Sequence, residues 1–144
     1  MSLTAAVINA GIGDLSLGLN MAGFHIAVAF VSDERAAAIH RANLNNEVIS
    51  LPLEQIEPGM LPNVDLVTAR IKLSSRNSIV QDHAATNLLH LLECHRPRGL
   101  FLILDSASPN RDRFNSFLDQ LAKIGYRFQY RKVDVAQAIG IPVK

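Results

Sequence analysis

Short apolar runs alternate along this chain with stretches whose apolar residues recur every three or four positions. That rhythm predicts strands alternating with helices, the signature of a parallel sheet flanked by helices on both faces. The first run, Ala5-Ala6-Val7-Ile8, leads into Gly11-Ile12-Gly13 and then a helical stretch with Leu15, Leu19 and Ala22 on one face, closed by Gly23. A second strand is predicted over 25–31. Asp33 follows, placed to cap a helix over 34–42 because its carboxylate can accept from the first free amides. Weaker apolar runs predict a third strand over 47–51 and a fourth over 64–69, and a polar break follows at 74–78.

The next helix is predicted over 80–95, with Ala84, Leu88, Leu91 and Leu92 toward the core. Leu100 to Leu104 is so continuously apolar that it predicts a strand buried on both faces. A helix over 110–124 carries Phe114, Phe117, Leu118 and Leu121 at i, i+3, i+4 and i+7, and Gly125 stops it. A sixth strand is predicted over 126–133. The expected fold is therefore a doubly wound, mostly parallel α/β domain covering residues 1–144, ending before a last strand. Such sheets bind ligands at the carboxyl ends of their strands, where the strand order reverses, so the turn after the first strand is the expected site.

Composition narrows the picture without redirecting it. With 144 residues, 49% hydrophobic and 19% charged, the chain is long enough for one core. A net charge of +1 gives no global electrostatic case for nucleic acid, which makes DNA binding doubtful. One basic run, Arg127 to Lys132, is interleaved with Phe128 and Tyr130, and a half-buried strand would alternate in the same way. No apolar run reaches the roughly 18 residues of a membrane span, so no membrane association and a cytoplasmic location are expected. The single cysteine, Cys94, excludes an internal disulfide and reads as a buried free thiol. His25, His40, His83, His90 and His95 have no metal-ligand spacing, and the three that share a helix, His83, His90 and His95, read as a solvated face. A dinucleotide turn is disfavoured because Ser16 stands where a third glycine would, and Ser74-Ser75 lacks the glycines of a nucleophile elbow.

The turn and its sequel carry a more specific signal. Ala10-Gly11-Ile12-Gly13-Asp14 with Ala22-Gly23-Phe24 resembles the opening motif of DNA cytosine-5 methyltransferases, a Phe-Ala-Gly-x-Gly-Gly turn followed by an AGF segment. Asp33 through Arg41-Ala42-Asn43 resembles the family's next block, and Val64-Asp65-Leu66 the strand that leads to its Pro-Cys loop. Arg76-Asn77-Ser78 with Arg96-Pro97 resembles the segments flanking the following helix, and 134–142 resembles the family's NAADYGVPQ block. The resemblance implies a Rossmann-like methyltransferase fold and S-adenosylmethionine as cofactor, held at Gly11, Ile12, Gly13 and Asp33.

The departures from the family fall on its chemistry. Where the family carries its cysteine nucleophile, this chain reads Thr68-Ala69-Arg70-Ile71-Lys72-Leu73-Ser74-Ser75, without a thiol. A thiolate must add to cytosine C6 before C5 becomes nucleophilic, and an unaided serine is too weak an acid to replace it. The family's Glu-Asn-Val falls near Ile103-Leu104-Asp105-Ser106. Asn9 stands for the phenylalanine that packs on adenine, Asp14 for the second glycine, Val31 for a ribose-gripping carboxylate and Pro52 for the acid that reads the adenine amine. Each lost charge-assisted bond is worth roughly 1.5–3 kcal/mol, so losing both carboxylates weakens binding about 10²–10⁴-fold.

The expectation is a domain with no catalytic residues and only vestigial cofactor binding, which acts through interaction. The family's target-recognition domain and returning C-terminal helix have no counterpart here, so the strand at 126–133 is left as an unpaired edge. A homodimer or a methyltransferase partner chain is the expected way to cover it. The competing expectation is a cofactor-binding fragment, or half of an active cytosine-5 methyltransferase of a restriction–modification system.

Overall fold

Five of the predicted strands form, joined by helical or turned crossovers that allow parallel pairing throughout. The computed structural model describes residues 2–72, 79–105 and 111–133. Within them the strands are β1 (Thr4–Ile8), β2 (His25–Val31), β3 (Val48–Ser50), β4 (Leu66–Lys72) and β5 (Gly99–Asp105). The helices are α1 (Asp14–Met21), α2 (Glu34–Asn43), α3 (Ile79–His95) and α4 (Arg111–Ile124). All pairings are parallel, in the order β3-β2-β1-β4-β5, so the direction of winding reverses between β1 and β4.

The sheet separates two apolar layers. Ala6, Ile8, Val28, Phe30, Val67, Ala69 and Ile71 face α3 and α4, meeting Leu88, Leu91, Leu92, Phe117 and Leu121. Ala5, Val7, Ile26, Ala29 and Val31 face α1 and α2, meeting Leu19 and Ala37. Ile26 and Ala29 share a face although three residues apart. The β1–β2 register slips between Ala5 and Ala6, and this one-residue bulge switches the side-chain parity of β2.

Polar contacts fix the connections. Asp65 accepts from both the amide (2.9 Å) and the hydroxyl (3.0 Å) of Thr4, tying the start of β1 to the entry of β4. These two bonds hold the Asp65 carboxyl below its usual range. The segment after β3 turns through two short 3-10 helices, Leu53–Gln55 and Pro58–Met60. The amide of Asn87 in α3 donates to the carbonyls of Leu53 (2.7 Å) and Ile56 (2.9 Å), and His95 Nε2 donates to that of Pro58 (2.6 Å).

Several expectations are corrected. β4 extends to Lys72 instead of ending at Ala69, because Arg70, Ile71 and Lys72 pair with Ile103, Leu104 and Asp105 of β5. Phe101 of β5 is half exposed, so this strand is not buried on both faces. It lies beside Thr68 on the α1 side, and α1 packs over β1 and β2 instead. Residues 126–133 form no strand. Gly125 ends α4 at φ 110°, the Tyr126 amide donates back to the carbonyl of Leu121, and its hydroxyl donates to the carbonyl of Pro97 (3.0 Å). These bonds fix Tyr126, and residues 127–133 beyond it are exposed.

Cys94 is exposed near the end of α3, not buried. His40 is fully buried. The polar break at 74–78 and the block at 134–142 lie outside the described residues.

Candidate functional site

The chain leaves β1 through a turn that no ordinary backbone geometry can make. Asn9, Gly11 and Gly13 all have positive φ (55°, 57° and 112°), a left-handed step at every second residue. The turn is held by the Ala10 amide donating to the Phe30 carbonyl (3.0 Å) and the Gly13 amide donating to the Ala10 carbonyl (3.2 Å). Gly13 is also the residue preceding α1, and no side chain caps that helix.

Of the residues expected to hold a cofactor, Gly11, Ile12 and Gly13 are brought together and Asp33 stands apart in role. Ile12 is exposed at the tip of the turn. A Cβ on Gly11 would meet nothing closer than Asp14 Oδ1 at 3.9 Å, whereas one on Gly13 would lie 2.8 Å from Leu44 Cδ1 and 3.4 Å from His40 Cγ. The need for glycine at 13 therefore comes from α2 packing beneath the turn. The Asp33 carboxylate is spent on capping α2, accepting from the amides of Arg35 and Ala36 (both 3.3 Å). Val31, which stands where the resemblance implies a carboxylate, is buried in the sheet.

The departures noted in the sequence meet in space. Asn9 Nδ2 donates to the main-chain carbonyl of Arg70 (2.9 Å), and the Arg70 guanidinium donates to Asp14 Oδ2 (2.8 Å). Three residues, each unlike the family pattern, thus form one clasp. It lies across the point where winding reverses, since Ile8 of β1 pairs with Ala69 of β4 one residue before each partner. Partial burial pushes the Asp14 carboxyl up, but the Arg70 hydrogen bond and charge, with backbone donation, outweigh this and leave it below its usual range. The pair is half exposed, so its contribution to stability is about 1 kcal/mol or less.

Beside the clasp is a cavity of about 500 Å³ lined by Asn9, Ser32, Pro52, Glu54, Gln55 and His83. It opens past the carboxyl ends of β1, β2 and β3, and its size is that of a small-molecule site. Glu54 brings a carboxylate here that the sequence reading missed. The available signal was its place two residues after Pro52, where the resemblance puts an acid; the 3-10 turn Leu53–Gln55 carries it to the cavity.

His40 was missed for a different reason. It continues, at helical spacing, the inward stripe of buried Ala37 with half-buried Ala36 and Leu44, which the charge of a histidine masks in the sequence. Its two ring nitrogens, with the hydroxyls of Ser16 and Thr68, have no partner among the described residues. Among the described residues no group of three or more His, Cys, Asp or Glu side chains could hold a metal ion. Cys94 is far in sequence and fold from the clasp, at the opposite end of α3 from His83. Of the stretch 68–75 that aligns with the family's nucleophile loop, Thr68 to Lys72 belong to β4 and 73–75 lie outside the described residues, as does Ser106; Asp105 is the last residue of β5.

No protein-family model and no curated protein sequence matches this chain. Solved structures do. A protein assigned as a DNA modification methyltransferase encoded within an E. coli prophage is 15% identical, with a TM-score of 0.74 over 86% of this chain. The Dnmt2 methyltransferase of S. pombe is 16% identical, with a TM-score of 0.64 over 85%. The plantazolicin methyltransferase BpumL, solved with SAH, is 15% identical, with a TM-score of 0.51 over 83%. The chain spans 38%, 39% and 44% of those three chains respectively. At these identities the likeness shows the fold, a five-stranded Rossmann-like sheet of the methyltransferase type.

Proposed function

We propose that this methyltransferase-fold domain does not methylate cytosine and acts through interaction, as a regulatory or completing subunit of a methyltransferase partner. The observation that carries this reading is the Asn9–Arg70–Asp14 clasp. It puts a guanidinium and a bound carboxylate at the strand end where the resemblance implies an open, thiol-bearing loop. Asp14 adds bulk and charge to the turn, Asp33 is engaged by its own helix, and β4 continues as paired strand through Lys72. On this reading S-adenosylmethionine binds weakly, because the charge-assisted bonds of both expected carboxylates are missing.

A second reading is favoured by the cavity itself. With Glu54, Ser32 and Asn9 on its wall, it could still take an adenosine-bearing ligand. The chain would then be a cofactor-binding fragment, or half of an active DNA cytosine-5 methyltransferase. Calorimetric titration with S-adenosylmethionine and a tritium-transfer assay on cytosine DNA separate the two. The first reading expects no heat at micromolar protein and no transfer by this chain alone. Micromolar affinity would remove the weak-binding claim, and transfer would remove the claim of inactivity.

Assembly is part of the same proposal. β5 pairs only with β4 among the described residues, so no described strand covers its outer edge, and Phe101 is half exposed on the same strand. Sedimentation velocity at rising concentration should show a dimer or association with a partner chain. A profile that stays monomeric throughout would count against it.

A further inference from the structure

Residues 127–132 combine features that neither the core nor the clasp uses. The segment has no helix or strand and is exposed along its length, although it contains two aromatic rings: Phe128 is 43% exposed and Tyr130 74%. Tyr130 is nevertheless fixed. Its ring meets Phe114 of α4 in a T-shaped contact, centroids 5.6 Å apart and planes at 86°, which orders the ring while leaving most of it open. Around these rings stand Arg127, Arg131 and Lys132, none with a carboxylate partner among the described residues. The Tyr126 hydroxyl, bonded to the Pro97 carbonyl, anchors the start of the segment beside Arg96 and Arg98. Arg98 is 84% exposed and only 3.8 Å from one Asp65 oxygen, which leaves most of its donors free.

We infer that this basic–aromatic strip is a binding surface for single-stranded nucleic acid. Open aromatic rings stack on unpaired bases, and interleaved cations neutralise the phosphates that run between them. Base pairing in a duplex would hide the faces that Phe128 and Tyr130 need, and the strip has no helix or paired strand with which to enter a groove. An anionic membrane is the weaker fit, because interfacial binding relies on the broad apolar face of an amphipathic helix, and this segment forms no helix and carries two rings. The chain's net charge of +1 does not oppose the inference, since the cations are clustered. It stands independently of whether the domain binds a methyl donor.

The test uses the full chain and fluorescence anisotropy with labelled oligo-dT and oligo-U of about 12 nucleotides, within the range of such sites. A duplex of equal length and anionic vesicles serve as comparison arms. Binding to either single strand, stronger than to the duplex, is the expected result. Phe128→Ala and Tyr130→Ala should each weaken it by about tenfold. The triple variant Arg127→Gln, Arg131→Gln, Lys132→Gln should reduce the dependence of log affinity on log salt by about 2. All substituted residues are exposed, so thermal melting of the variants should match the parent. Relative affinity for oligo-dT and oligo-U tells whether the source is DNA or RNA. No binding at low salt, equal or better binding to duplex, binding only to vesicles, or indifference to these substitutions would each overturn the inference.

Discussion

Replacing Phe30 with alanine should lower the unfolding free energy by about 3–5 kcal/mol, the largest loss expected from any single truncation in this chain. Phe30 is the largest fully buried side chain among the described residues, pressed between Ile8 and Val28 on the sheet and the α3 layer. Removing its ring takes away both its transfer free energy and the contacts of everything that lines the hole. Against a total of about 5–15 kcal/mol for an ordinary domain, that is enough to leave a large unfolded fraction at moderate temperature. Urea denaturation should show a lower midpoint with an unchanged slope. Phe128→Ala is the matched control, the same truncation at an exposed ring, and should leave the midpoint within error. Equal losses at the two positions would mean that the α3–α4 layer does not close over the sheet as described. The Phe30 carbonyl also holds the Ala10 amide, so loosening β2 should reach the turn that follows β1.

Gly13→Ala should cost about 2–3 kcal/mol, from two separable causes. A φ of 112° is strained for any residue with a Cβ, and that Cβ would lie 2.8 Å from Leu44 and 3.4 Å from the buried His40 ring. Leu44 can rotate away, but His40 is enclosed, so part of the crowding has no easy relief. Gly23 isolates the backbone part. Its φ is 92°, and a Cβ there would meet nothing within 4 Å, so Gly23→Ala should carry only the conformational cost, about 1–2 kcal/mol. Thermal melts of the two variants should therefore differ, with Gly13→Ala the lower. Indistinguishable melts would show that α2 does not press on the turn. Because the turn is also the candidate site, Gly13 is needed for folding whether or not any ligand binds.

Much of the architecture was legible because its determinants are local. The capping of α2 by Asp33 spans three residues, the stop at Gly125 needs one, and the stripe Phe117–Leu121 needs one turn of helix. The site was legible only in part. Asn9, Asp14 and Arg70 each stood out as departures, but nothing in their order along the chain said that they touch, because Arg70 lies 61 and 56 residues from its two partners. Glu54 was hidden behind Pro52, since a two-residue offset in a 3-10 turn cannot be placed without the fold.

The sequence by itself determined most of the elements: five of the six predicted strands, the four helices, and that the winding is parallel. Periodicity, caps and positive-φ positions are contiguous signals, and a parallel sheet follows once helices separate the strands. Only the tertiary structure decided burial and partnership. It buried His40 beneath the turn, exposed Cys94, drew Arg70 onto Asp14, and left residues 127–133 as an exposed strip outside the sheet. An alternating apolar–polar pattern reads the same in a half-buried strand and in an exposed ribbon. What separates them is whether a neighbouring strand offers its amides and carbonyls, and that depends on where distant parts of the chain come to rest.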